Sequence, residues 1–104
     1  MLGTLKKLFG MGPKVDLGEV MGRGAIILDV RTPGEYAGGH IKGSINIPLQ
    51  SLQSQLSKLK KDKPVITCCA SGMRSSSAKS MLQSAGFAEV HNGGSWFNLK
   101  RYEK

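Results

Sequence analysis

Apolar runs and helical spacings alternate along this chain. Asp16 followed by Glu19 marks a helix start, and Gly22 and Gly24 end that helix. Ala25 to Val30 predicts an apolar strand buried on both faces. Thr32-Pro33-Gly34-Glu35 has the form of a capping box with proline in the first turn, and Gly38-Gly39 stops the short helix it opens. Ser44 to Ile47 predicts a second strand, closed by Pro48. Leu52, Leu56 and Leu59 line one face of a helix expected over 49–60. Val65 to Cys68 predicts a third buried strand. Ala78, Met81, Leu82 and Ala85 repeat the helical spacing up to a stop at Gly86. Val90-His91 predicts a last strand, ahead of Asn92-Gly93-Gly94, and Trp96, Phe97, Leu99 and Tyr102 fall in a terminal helical segment. Strands alternating with helices predict an α/β domain: a small parallel sheet with helices on both faces. Such sheets bind ligands beyond the carboxyl ends of their strands.

The 104 residues, 39% hydrophobic and 21% charged, suit one soluble globular domain. That domain is expected over 14–104, after an N-terminal extension, 1–13, with room for one short helix. Leu8 to Lys14 is too short and broken for a signal-peptide core, and no apolar run nears the ~20 residues of a membrane helix. A cytoplasmic protein without stable membrane association is expected. The two cysteines, Cys68 and Cys69, are adjacent, which rules out a disulfide framework and a four-cysteine metal site. No cofactor is expected. The formal net charge of +8 favours anionic partners. Its densest cluster, Lys58, Lys60, Lys61 and Lys63, lies where a helix ends and reads as a solvated helix terminus rather than a nucleic-acid footprint.

The chemistry concentrates after the third strand. The strand ends at cysteine, a loop with Gly72 at its centre follows, and Arg74 and Ser75 open the next helix. Backbone N–H groups of such a loop curl inward, and the helix adds its positive pole. A cysteine held there favours thiolate, with a pKa lowered from ~8.5 into the range ~3.5–7.5. Cys68 continues the apolar strand and reads as a packed hydrophobe. Cys69 reads as the first loop residue and the reactive thiol.

The segment Cys69-Ala70-Ser71-Gly72-Met73-Arg74-Ser75 resembles the active-site loop of the single-domain rhodaneses, a thiosulfate sulfurtransferase-like family. Leu28 to Tyr36, Gly39 to Pro48, and Gly86-Phe87 with Val90 to Trp96 resemble that family's other signatures, in the same order. The resemblance implies the rhodanese-like three-layer fold. It implies Cys69 as catalytic nucleophile, with Ala70, Ser71, Gly72, Met73, Arg74 and Ser75 lining the substrate site. It also implies a cysteine persulfide: Cys69 takes a sulfane sulfur from a small anionic donor such as thiosulfate and passes it to a thiol, cyanide or an acceptor protein. Arg74 either binds the donor or holds the loop. The loop side chains between Cys69 and Arg74 carry no charge, so a neutral or protein persulfide donor is also open.

Three rivals remain: a non-catalytic binding module or sulfur carrier on this fold, a nucleic-acid binder, and a cysteine phosphatase. The last rests on the five residues between Cys68 and Arg74, the phosphatase spacing, but Gly72 then falls four places after the cysteine instead of three. Asp29 and Arg31 read as a structural pair near the site, His40 as a turn residue, and Trp96 as a lid over the core.

Overall fold

The computed structural model describes residues 15–103, so the extension expected over 1–13 lies outside the described residues. Asp16 caps the first helix of the described residues, α1 (Leu17–Gly22), by accepting the N–H groups of Gly18 and Glu19. Strand β1 (Ile26–Asp29) leads to α2 (Pro33–Ala37), whose capping box is complete: Thr32 Oγ1 accepts the Glu35 N–H at 3.2 Å, and Glu35 accepts the Thr32 N–H at 3.1 Å. A two-residue strand β2 (Ile45–Asn46), a short helix α3 (Leu49–Leu52), strand β3 (Val65–Cys69) and helix α4 (Met73–Ser84) follow. Strand β4 (Val90–Ser95) runs directly into a 3-10 segment, Trp96–Tyr102.

The four strands form one parallel sheet in the order β2-β1-β3-β4. Side chains alternate across it, as the period of two requires. Leu28, Val65 and Cys69 face one way and pack under Leu52, Ala78 and Leu82 of α3 and α4. Ile27, Ile66 and Cys68 face the other way, against Val20 of α1 and Leu99 of the terminal segment. The α/β three-layer arrangement anticipated from the sequence is therefore present. On the exposed flank, Arg23 forks onto Glu89 at 2.8 and 2.7 Å and ties α1 to the start of β4.

Strand ends move by a residue, and two elements differ more from the sequence expectation. The helix expected over 49–60 is α-helical only through Leu52; Gln53–Lys58 tightens into a 3-10 helix, with Gln55 outside helical geometry at φ −119°, ψ 17°. Ser54 Oγ donates to the Ser51 carbonyl at 3.0 Å, a side-chain bond to the backbone of the kind that works against a regular helix. The leucine spacing still does its work, since Leu52 and Leu59 are buried. The last strand is longer than Val90-His91 and continues through both glycines. A Cβ on Gly93 would lie 2.9 Å from Ile66 Cγ2 and 3.0 Å from the Thr67 carbonyl, so glycine lets β4 approach β3 closely there. Gly94, at φ +76°, lies where the β3–β4 register shifts.

Candidate active site

Strand β3 delivers both cysteines to the carboxyl edge of the sheet, but on opposite faces. Cys69 is the last strand residue rather than the first of the loop, and both cysteines are fully buried. Burial pushes the Cys68 thiol up to about 12; the negative charge of Asp29, its partner across β1, adds to this and Arg31 opposes it. A phosphatase loop counted from Cys68 is therefore not built: its sulfur lies beneath the sheet, away from α4.

Cys69 sits in the other environment. Its Sγ accepts the Gly72 N–H at 3.0 Å and the Ser75 N–H at 3.4 Å, and the Ser75 hydroxyl lies 3.5 Å away. Burial is the largest single influence and pushes this thiol up. Hydrogen bonds from the Ser75 hydroxyl and from the N–H groups of Ser75, Gly72 and Ser71 together outweigh it and hold the pKa below its ordinary value. Gly72 makes this cradle possible, because it turns the chain at φ +104° into the N-terminus of the 12-residue α4. Ala70 and Ser71, between Cys69 and Gly72, are exposed.

Of the expected lining residues, Gly72 and Ser75 bond directly to Sγ. The Met73 side chain points to solvent, 79% exposed. Arg74 does not point a free cation at the site: its two terminal nitrogens fork onto the Glu35 carboxylate at 2.8 and 3.0 Å. The Arg74 hydrogen bonds, helped by those from Thr32, hold the Glu35 carboxyl down to about 2. Glu35 thus caps α2 and clamps α4 to it. The Asp29–Arg31 pair is present and buried, with Nη2 to Oδ2 at 2.7 Å. Arg31 also donates to the Gly39 carbonyl at 2.7 Å and lies 4.6 Å from the Trp96 ring centroid, which seats Trp96 over the lower core. His40 Nδ1 lies 2.7 Å from the Tyr36 carbonyl oxygen, and its ring stacks on Tyr36; it serves the turn.

The sequence reading missed two participants. One is Glu35 as the partner of Arg74, 39 residues away. The other is Asn92, whose Oδ1 lies 2.6 Å from Ser75 Oγ. Neither has a local signal, because each contact is made by the sheet bringing distant elements together.

The profile of the Rhodanese-like domain family matches residues 14–99. The chain belongs to that family. Among rhodanese-family relatives, GlpE of Stutzerimonas stutzeri (strain A1501), a thiosulfate sulfurtransferase, is 38% identical over 79 residues, covering 76% of this chain and 72% of GlpE. YqhL of Bacillus subtilis (strain 168) is 41% identical over 70 residues, 67% of this chain; the match spans 56% of YqhL. Among solved structures, the human single-domain sulfurtransferase TSTD1 superposes with a TM-score of 0.72 at 28% identity, covering 89% of this rhodanese and all but 1% of that chain. The protein is thus thiosulfate sulfurtransferase-like in sequence and in fold. Among the described residues, no helix is long and apolar enough to cross a membrane, and no three His, Cys, Asp or Glu side chains gather as a metal site.

Proposed function

We propose that this rhodanese transfers a sulfane sulfur through Cys69. The observation that carries the reading is the cradle: a cysteine sulfur at a strand's carboxyl edge, held by inward N–H groups at a helix N-terminus. The Cys69 thiolate attacks the outer sulfur of thiosulfate. A Cys–S–S bond forms, the S–S bond of thiosulfate breaks, and sulfite leaves with the bonding electrons. The terminal persulfide sulfur keeps one negative charge, which the N–H donors of Gly72 and Ser75 and the pole of α4 stabilise. Cyanide, a thiol or a cysteine of an acceptor protein then attacks that sulfur and restores the Cys69 thiolate, so one transfer becomes two displacements. We assign Cys69 as nucleophile and the Ala70–Ser75 loop as the site for donor and persulfide, within a domain spanning 14–104 behind an extension of 13 residues.

The Glu35 clamp bears on the donor. With Arg74 already paired, attraction for a small anion rests on the helix pole and on the net charge of +8. This favours a second reading in which a protein persulfide is the donor and Arg74 serves to hold α4. Intact-mass measurement after thiosulfate treatment tests the main reading. One added sulfur atom, removed by cyanide and absent in Cys69→Ser, is the expected result. Unchanged loading in Cys69→Ser refutes the assignment, and no loading of the native protein by thiosulfate, with loading by a protein persulfide, selects the second reading.

A further inference from the structure

The Ser75 hydroxyl has a single proton and two neighbours that compete for it. Its buried Oγ lies 2.6 Å from Asn92 Oδ1 and 3.5 Å from Cys69 Sγ. The orientation of the Asn92 amide follows from partners of fixed polarity. The Gly94 N–H, which only donates, reaches Oδ1 at 2.9 Å. The Gly72 carbonyl, which only accepts, receives Nδ2 at 3.2 Å. Oδ1 therefore faces Ser75, and Ser75 donates to it. The contact with Cys69 is then an S–H donating to the serine oxygen, which requires the neutral thiol. An ionised sulfur only accepts. The contact survives ionisation only if the Ser75 proton turns from Asn92 to sulfur.

We propose that Asn92 is a positioning residue for Cys69, holding the Ser75 proton while Cys69 is a thiol and yielding it when the sulfur becomes anionic. The turn is a rotation about the Ser75 Cβ–Oγ bond. No bond to hydrogen breaks at serine, and the thiol proton leaves to solvent. Asn92 Oδ1 is not orphaned afterwards, because the Gly94 N–H remains on it. In consequence Cys69 is a weaker acid than the same cradle would make it with the hydroxyl always free. On the sulfurtransferase reading, on which this last extension rests, the same rotation serves the anionic persulfide. Two charged pairs flank the cluster. Arg74 of α4, which senses the Cys69 charge, is committed to Glu35 of α2, and Asp29 at the end of β1 and Arg31 just beyond it pair with each other and act on Cys68.

A double-mutant cycle separates this from a merely structural role. In a Cys68→Ala background, the pKa of Cys69 is measured by the pH dependence of iodoacetamide alkylation and by thiolate ultraviolet absorbance. The four proteins are the parent, Asn92→Ala, Ser75→Ala and the double variant. Loosening of Gly72 and Gly94 on losing the Asn92 amide acts in both Ser75 backgrounds and cancels in the cycle. With Ser75 present, Asn92→Ala should lower the Cys69 pKa by about one unit relative to its effect in Ser75→Ala, a roughly tenfold gain in thiolate below the pKa. Equal shifts in the two backgrounds, or a relative rise when Ser75 is present, overturn the proposal. Alkylation needs no sulfur donor. A positive cycle in a protein that fails to load sulfur counts against the sulfurtransferase reading alone, and a negative cycle in one that loads counts against Asn92 alone.

Discussion

Asp29→Ala tests what holds the carboxyl edge of the sheet together. Asp29 Oδ1 accepts the Arg31 backbone N–H and Nε, both at 3.0 Å; Oδ2 accepts Nε at 3.0 Å and Nη2 at 2.7 Å. Asp29 is 0% and Arg31 4% exposed, so water cannot take over those bonds without opening the fold. After the substitution Arg31 keeps neutral partners only: the Gly39 and Glu35 carbonyls and the Trp96 ring. Removing one member of a buried ion pair leaves an uncompensated charge and costs about 3–5 kcal/mol. Against a typical stability of about 5–15 kcal/mol, that is a large fraction. At about 4–8 °C per kcal/mol for a domain of this size, Tm should fall by roughly 12–40 °C. Removing both charges as Asp29→Ala with Arg31→Met should recover most of the loss, because two apolar groups need no partner. Urea unfolding at neutral pH of the native, single and double variants is the assay. A loss below about 1 kcal/mol in Asp29→Ala, or a double variant no more stable than the single, would refute the reasoning.

Four further outcomes are expected. Gly93→Ala should destabilise by about 1–3 kcal/mol, since its Cβ meets Ile66, the Thr67 carbonyl and Leu99 at 2.9–3.1 Å, whereas Gly22→Ala meets nothing within 4 Å; equal thermal unfolding of the two contradicts the packing argument. Alkylation at neutral pH should modify Cys69 well before Cys68, whose thiol is pushed up to about 12, and Cys68→Ala should keep sulfur loading; faster labelling of Cys68 by peptide mapping reverses the assignment. Glu35→Gln frees Arg74, so if that guanidinium can bind an anionic donor, the KM for thiosulfate should fall at low salt and the gain should shrink as salt rises; an unchanged KM leaves Arg74 a purely structural clamp. The folded pKa values of Glu35 and Glu89, about 2, are set chiefly by hydrogen bonds from Arg74 and Arg23. Both lie below the unfolded carboxylate value of ~4.3, so their stabilisation is present above that value and is lost as pH falls through the folded ones. Between about pH 5 and about pH 2 a Glu35→Gln/Glu89→Gln variant should lose less stability than the native protein, and parallel urea-midpoint curves would count against both pairings.

Local rules along the chain determined much of this protein. The box at Thr32–Glu35 closes because its groups are three residues apart, and period-two alternation through Val65–Cys68 turns Cys68 into the packing, although only the structure extends the strand to Cys69 on the opposite face. Apolar strands alternating with one-sided helices led to the parallel sheet, and a glycine between a strand-end cysteine and a helix start led to the cradle. Contacts between distant segments were a matter for the tertiary structure. Arg74 reads equally as donor ligand or loop anchor until the sheet brings Glu35 of α2 against it. The glycines of β4 look like a break in a strand until Ile66 and Leu99 are seen pressed against the backbone there. Asn92 has no visible chemistry in its own neighbourhood; its role arises because α4 packs against β4, so that Ser75 and Asn92, 17 residues apart in sequence, lie one hydrogen bond apart in space. Propensity and periodicity act over a few residues, whereas the partner of a long polar side chain is chosen by whichever loop the fold delivers to it.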